Sequence, residues 1–297
     1  MGTVRKVALV TAVAVRGLDE DEKPLLAAFA ARGASAVSLA WDDPRARWTE
    51  FDAAVVRSTW DYQDRLPEFL AWARRAADQT RLFNPLPMLE WSADKRYLRE
   101  LAAAGLPVPD CQWVEPGDSW QVPTGPTHRE PHEYVIKPVV SAGSRNTSRH
   151  QAGHDDQRAE ETVARLLAQG HTLVVQPYLS AVDSAGETAL VYLGGRYSHA
   201  LRKGPLLAPG GQLAENITAR QPAPAELRVG DQVLATVVER FAAVPAYLRV
   251  DLLPGPDGVP VVLECELVEP GLWLDQREGA ADELATWVLA ARDRALP

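Results

Sequence analysis

The chain is poor in cysteine, and that scarcity already narrows the field. Cys111 and Cys265 are the two cysteines in 297 residues, and no CxxC pair exists. A disulfide framework and a thiolate metal cage are both excluded. Positive charge is in deficit too: 31 Lys and Arg stand against 40 Asp and Glu, for a net charge of −9. A nucleic-acid surface needs clustered cations, so none is expected, although a nucleotide held in a local cationic pocket stays compatible. No apolar run approaches the ~20 residues of a membrane span. The apolar stretch 6–15 is too short for one and no small-residue cleavage site follows it, so the protein reads as cytoplasmic with no membrane partner. Two phosphate-binding signatures are also missing, G-x-G-x-x-G and G-x-x-x-x-G-K-[ST]. Their absence disfavours a nicotinamide oxidoreductase and excludes a Walker loop.

What is present is an ordinary globular composition, 46% apolar and 24% charged, on a chain long enough for two or three subdomains. Residues 6–15 form a Val-rich run with the look of a buried parallel strand. An Ala-rich helix over 25–32 closes at Gly33, and short strands follow at 36–39 and 51–57. This order predicts a small doubly wound α/β unit. Ligands of open α/β sheets bind beyond strand carboxyl ends, which makes Arg57, Ser58 and Thr59 candidates for substrate contact; a capped turn is the plainer alternative. Glu20 to Glu22 reads as a solvated acidic patch. The spacing predicts one helix over 91–105, then an irregular segment over 111–135. The pairs His128/His132 and His150/His154 have i, i+4 spacing, but Pro131 and Gly153 break the helices they would need. Residues 205–224 are rich in Pro, Gly and Ala and read as a long loop, a lid candidate.

The stretch 247–274 concentrates the chemistry. Pro254-Gly255-Pro256-Asp257-Gly258 interrupts two runs rich in Val and Leu, which predicts a hairpin. Strand residues alternate faces, so Arg249 shares a face with Asp251, and Glu264 with Glu266. A hairpin symmetric about Asp257 and Gly258 sets Asp251 opposite Glu264, with Cβ atoms ~5 Å apart. Three converging carboxylates ask for a cation, and an all-oxygen donor set suits Mg²⁺; a solvated sheet face is the alternative. Upstream, a strand over 134–138 carries Lys137, and a small-residue loop follows with Ser141, Gly143 and Ser144. Backbone N–H groups of such loops can wrap an anion, and a flexible hairpin tip is the alternative. A second hairpin over 189–202 turns at Gly194-Gly195 and leads into Lys203.

The ordered set Lys95, Lys137, the small loop, Gln176-Pro177-Tyr178-Leu179, Glu187, Lys203, Arg249, Asp251, Glu264 and Glu266 resembles the ATP-grasp superfamily over about residues 91 to 275. The third acidic position, commonly Asn in that superfamily, is Glu266 here. Within it, R-S-T-W at 57, D-K-R-Y-L at 94, V-V-Q-P-Y-L at 174, Y-S-H-A-L-R-K-G at 197 and R-V-D-L…L-E-C-E-L-V-E-P from 249 are similar to the cycloserine synthetase family, cyclo-ligases acting on O-ureido-serine. The loop V-V-S-A-G-S-R-N-T departs from that family's pattern.

The resemblance implies an α/β (α+β) ATP-grasp fold behind an N-terminal doubly wound domain. The expected domains are 1–90, 91–175 and 176–297. It implies ATP and two Mg²⁺ ions as cofactors, with a small amino-acid-like carboxylate and an amine as partners and a homodimer as an open option. Lys95 and Lys137 would neutralise phosphates, with Ser141, Gly143 and Ser144 closing over them. Gln176, Tyr178 and Leu179 would hold adenine, and Asp183 and Glu187 the ribose. Asp251, Glu264 and Glu266 would hold metal. Lys203 and Arg249 would be catalytic, stabilising the phosphoryl group in transfer. Arg57, Ser58, Thr59, His199 and Glu269 are the substrate candidates, with a structural role as the plainer reading of His199. A phosphotransferase or a non-catalytic ATP-binding protein are the rival readings.

Overall fold

The computed structural model describes residues 5–123, 132–208, 211–212 and 216–292. Its first layer is a four-stranded parallel sheet of β1 (Arg5–Thr11), β2 (Ala34–Ala40), β3 (Ala53–Ser58) and β4 (Arg81–Phe83), in the order β2-β1-β3-β4. Helix α1 (Glu22–Ala31) connects the first two strands and α2 (Leu66–Ala77) the last two. β1 ends at Thr11, four residues short of the apolar run. Strand β3 is buried along its whole length, as expected of a strand covered on both faces.

Next come α3 (Leu86–Ser92) and α4 (Tyr97–Ala103), where the sequence pattern suggests one helix. The break has a local cause. The Asp94 carboxylate accepts from the Arg96 backbone N–H at 2.9 Å, and the Lys95 N–H donates to the Val139 carbonyl at 2.8 Å instead of to a helical partner. Lys95 thereby sits in a turn aimed at the neighbouring layer.

The second sheet is antiparallel, β5 (Gln112–Val114), β6 (Glu133–Pro138), β7 (Ser148–Gln151) and β8 (Leu173–Pro177), ordered β5-β8-β6-β7. Helix α5 (Asp156–Ala168) covers one face through Ala159, Val163 and Leu166. A short helix α6 (Ala181–Ala185) leads to the third sheet. That sheet begins with β9 (Glu187–Leu193) and β10 (Arg196–Lys203), turning at Gly194 and Gly195, both at positive φ. The segment expected as a long loop contains short strands. Leu207–Ala208 (β11) pairs with Gly211–Gln212 (β12), and Ile217–Arg220 (β13) adds to β10 as an edge strand. Residues 209–210 and 213–215 of the lid candidate lie outside the described residues, as does His128.

Helix α7 (Pro224–Phe241) precedes β14 (Tyr247–Pro254) and β15 (Pro260–Glu266), giving the order β13-β10-β9-β14-β15. Along β9 the period-2 alternation divides two cores. Ala189, Val191 and Leu193 pack with β1, α1 and α8 (Ala280–Arg292), whereas Leu190 and Tyr192 pack with α7. Strand β15 is an edge, and side chains close its open backbone groups. Cys265 N–H donates to the Tyr97 hydroxyl at 2.9 Å, Leu267 N–H to Ser92 Oγ at 2.9 Å, and Ser92 Oγ donates to the Cys265 carbonyl at 3.0 Å. Fully buried Asn84 ties the layers together, donating to the Tyr247 and Leu267 carbonyls and accepting from Ala246 N–H. No helix among the described residues is long and apolar enough to cross a membrane.

Candidate active site

A cleft of about 630 Å³ opens where the three sheets meet. The hairpin of β14 and β15 forms its floor. Arg249 pairs across the strands with Glu266 and Asp251 with Glu264, the register expected from symmetry about the turn, with a bulge just beyond at Leu252. One carboxylate oxygen from each of Asp251, Glu264 and Glu266 lies within 4.8 Å of the others. An all-oxygen set at that separation fits a hard divalent ion such as Mg²⁺.

Cations surround this triad. Arg249 donates from Nε and Nη2 to the two Asp251 oxygens, both at 2.9 Å, and from Nη2 to Glu266 at 2.5 Å. Lys203 Nζ donates to Asp251 at 2.8 Å and lies 3.0 Å from Glu187. Lys137 Nζ donates to Glu264 at 3.1 Å, and Lys95 Nζ stands 3.5 Å from the same oxygen while donating to the Ser141 carbonyl at 2.7 Å. The Asp251 side chain is 1% exposed, but those of Glu264 and Glu266 are each 25% exposed, so the two glutamates face the cleft.

The protonation equilibria follow. Burial would lift Asp251, yet Arg249 and Lys203 hold its carboxyl below the usual range. Burial likewise opposes ionisation of Glu264, and Lys95 and Lys137 overcome it, holding that group well below its ordinary value. Glu266 goes the other way. Burial pushes it up to about 7, Arg249 offsets part of that, and the charges of Asp251 and Glu264 add to the rise. Burial would depress Lys203 and Arg249, but the carboxylates raise both, so both stay cationic.

The cleft wall on one side carries Val135, Gln176, Pro177, Tyr178, Leu179 and Glu187. Gln176 Nε2 donates to Cys111 Sγ at 3.1 Å, and the Arg149 guanidinium stacks on the Tyr178 ring at 3.6 Å. Asp183 is off the wall; it accepts from the Tyr178 hydroxyl and lies 3.5 Å from Arg149. Above the triad runs the small-residue loop, with Ser141, Gly143, Ser144 and Arg145 lining the cleft. Gly143, Ser144 and Asn146 all take left-handed backbone conformations, φ 58°, 56° and 56°. Two non-glycine residues in that region are the kind of conformation that clusters at ligand clamps. The loop is fastened to the N-terminal unit, since Ala142 N–H donates to the Gln63 side chain and Arg145 donates to Asp64 at 2.7 Å.

The opposite wall corrects the sequence reading most. Arg57, Ser58 and Thr59 do not line the cleft; Arg57 is 2% exposed and the other two are as deeply buried. β3 ends inside a two-sided core, so its last polar residues serve the frame. Arg57 Nη2 donates to Asp21 and to the Pro270 carbonyl, both at 3.1 Å, and Ser58 donates to Thr11 at 2.9 Å. The supposed solvated patch at 20–22 supplies the other half. Asp21 is buried, and its carboxylate accepts from the backbone N–H groups of Leu272, Trp273 and Leu274 at 3.0, 3.1 and 2.7 Å. His199 also serves this turn. Its Nε2 meets the Leu272 carbonyl at 2.8 Å, and burial lowers its pKa, so it too stands behind the wall.

The wall itself is Asp19, Asp21, Trp60, Tyr62, Glu269 and Trp273. Of these, Glu269 alone was a candidate from the sequence. Trp60 and Tyr62 follow β3 directly, so the strand-end rule pointed to the right place three residues early. Asp21 has no local signal, because its partners lie about 250 residues away.

Comparisons with known proteins place the chain in a family. The family described as D-cycloserine synthetase DcsG, N-terminal domain, matches residues 7–84. The chain is 38% identical over 288 residues to the cycloserine biosynthesis protein DcsG of Streptomyces lavendulae, covering 93% of this chain and 95% of that one. The crystal structure of D-cycloserine synthetase DcsG superposes with a TM-score of 0.89 at 36% identity, over 97% of this chain and all of that one. The D-alanine–D-alanine ligase of Bacillus anthracis, solved with ATP, shares the fold at a TM-score of 0.65 and 12% identity, over 97% of each chain. The fold is therefore the α/β ATP-grasp fold, and the chain belongs to the D-cycloserine synthetase DcsG family, as an ATP-dependent carboxylate–amine ligase.

Proposed function

We propose that the enzyme activates the carboxylate of a small amino-acid-like substrate as an acyl phosphate, which an amine of the same or a second molecule then attacks. The observation that carries this reading is the convergence of Lys95, Lys137, Lys203 and Arg249 on three carboxylates at the floor of one cleft. A ground-state carboxylate does not react with an amine at neutral pH, because oxide is too poor a leaving group. Attack of the carboxylate oxygen on the γ-phosphorus breaks its bond to the β,γ-bridging oxygen and releases ADP. Attack of the amine on the carbonyl then expels phosphate and yields the amide.

Lys95, Lys137 and the N–H groups of the 141–147 loop neutralise the nucleotide phosphates. Gln176, Tyr178 and Leu179 receive the adenine, and Glu187 faces the ribose. Asp251, Glu264 and Glu266 would hold Mg²⁺, two ions on this reading, which would supply Lewis acidity toward the phosphates. Lys203 and Arg249 lie where charge develops on the transferring phosphoryl group. Their salt links to Asp251 fix both cations before substrate arrives, so little reorganisation accompanies transfer. The cleft walls exclude water from an intermediate that would otherwise hydrolyse. The chain divides for these tasks into 1–90, 91–175 and 176–297. In line with the relatives' names, ring closure of O-ureido-serine in cytoplasmic antibiotic biosynthesis is the reaction we assign first.

Phosphate and ADP release with Mg²⁺-ATP, across a panel of amino acids that includes O-ureido-serine, tests this with mass spectra of the products. Release confined to particular carboxylates, with an amide or ring among the products, is expected. Release without any amine requirement and a stable phosphorylated product would mark a phosphotransferase. ATP binding without release on any substrate would mark a non-catalytic protein.

A further inference from the structure

Glu269 is 8% exposed, lines the cleft, and makes no hydrogen bond or ion pair with its side chain among the described residues. Its backbone, by contrast, is held firmly. The carbonyl accepts from Trp60 Nε1 at 3.2 Å, and the next carbonyl, of Pro270, accepts from Arg57. The carboxyl group is therefore carried into the cleft on a fixed support without a bonded partner. Burial and the charge of Glu266 push its pKa well above the usual range, and Lys95 and Arg249 offset that only in part. A buried carboxylate in that position is costly unless a cation arrives.

The surroundings specify which cation. Lys95, Lys137, Lys203 and Arg249 are each paired to an acid of the metal triad. Glu269 instead faces the cleft unpaired from the wall it shares with Trp60, Tyr62 and Trp273, the last of which meets the Arg249 guanidinium at 5.3 Å. Aromatic rings favour an organic ammonium over a small hydrated ion, which would also want a further oxygen ligand set. A zwitterion matches this lining with its carboxylate toward the cations and its ammonium toward Glu269.

We propose that Glu269 is the specificity-determining counter-charge that receives the α-ammonium of the substrate; this rests on the amino-acid ligase reading above. The assignment also sorts the substrate's nitrogens. An ammonium held by Glu269 keeps its proton and has no lone pair to offer, so the attacking nitrogen is a different one, elsewhere in the substrate or on a second molecule.

The test uses the full chain with Mg²⁺-ATP and two probes, O-ureido-serine and its des-amino analogue 3-(ureidooxy)propanoate. The wild-type enzyme should prefer the amino acid by about a hundredfold or more in kcat/KM, because the analogue leaves a buried carboxylate unpaired. In Glu269→Gln the KM for O-ureido-serine should rise about 10- to 100-fold, the size of a lost charge-assisted hydrogen bond, and the preference over the analogue should collapse. Glu269→Asp should restore part of the preference, and ATP affinity should be unchanged in both variants. A Glu269→Gln enzyme that keeps its KM and its preference overturns the proposal. So does one that loses activity toward both probes equally, since that marks a structural role. If the wild-type enzyme turns over another amino acid, that acid and its des-amino counterpart replace the probes. If it turns over none, the ligase reading itself falls and takes this assignment with it.

Discussion

Asp251 and Glu269 line up as a natural contrast, two carboxylates buried to nearly the same depth and served in opposite ways. Asp251 is 0% exposed and accepts from Arg249 twice and from Lys203 once. Glu269 is 8% exposed and has no such donor among the described residues. The cost of burying charge is met internally at the first site and left to a ligand at the second. The contrast separates residues that hold the cleft's electrostatic frame from residues that wait on an occupant.

The largest effect should come from breaking the closed site. Asp251→Ala leaves two buried cations without their shared partner, and such a loss costs about 3–5 kcal/mol. Urea unfolding should show it as a lower midpoint at unchanged slope, and a midpoint within error of wild type would refute the frame role. Glu269→Gln, at a carboxyl whose ionisation burial opposes, should leave the same midpoint unchanged or raise it.

Next in size is Glu264→Gln. Glu264 faces the cleft between Lys95 and Lys137, so its effect should fall on turnover more than on folding. ADP release should drop about 10²- to 10³-fold, the scale seen when one preorganised electrostatic contact is removed. The Mg²⁺ concentration needed for half-maximal rate should rise as well; an unchanged Mg²⁺ dependence would move metal binding off this residue.

The smallest effect tests the loop's fastening. The Arg145 to Asp64 pair is more than half exposed on both sides, and exposed pairs contribute about 0.2–1 kcal/mol. Arg145→Ala should therefore weaken ATP binding by no more than about fivefold, read by calorimetry. Proteolytic cleavage within 141–147 should quicken, and no change in cleavage would leave the Gln63 contact as the main tie.

The triad was legible because its signal is local. Asp251 and Glu264 are joined by a turn that Pro and Gly mark plainly, and strand alternation then fixes which side chains share a face. The parallel N-terminal unit was legible for a similar reason, since buried strands read as continuous Val-rich runs. The break between α3 and α4 was not, because propensity favours helix throughout and a tertiary contact of Lys95 with Val139 overrides it. Strand β13 was missed because an edge strand of four residues carries little pattern, and its place is set by pairing with β10.

What the sequence by itself determined is the inventory of the chemistry: the cations, the carboxylates and the small loop, in an order that resembles the ATP-grasp superfamily. What the tertiary structure decided is which of them face the cleft. Arg57 looks in sequence like a ligand contact and Asp21 like a solvated charge, yet each is buried and holds backbone groups of the 270–274 turn. That choice depends on contacts between segments up to 250 residues apart, where desolvation and hydrogen-bond satisfaction, not local propensity, select the partner.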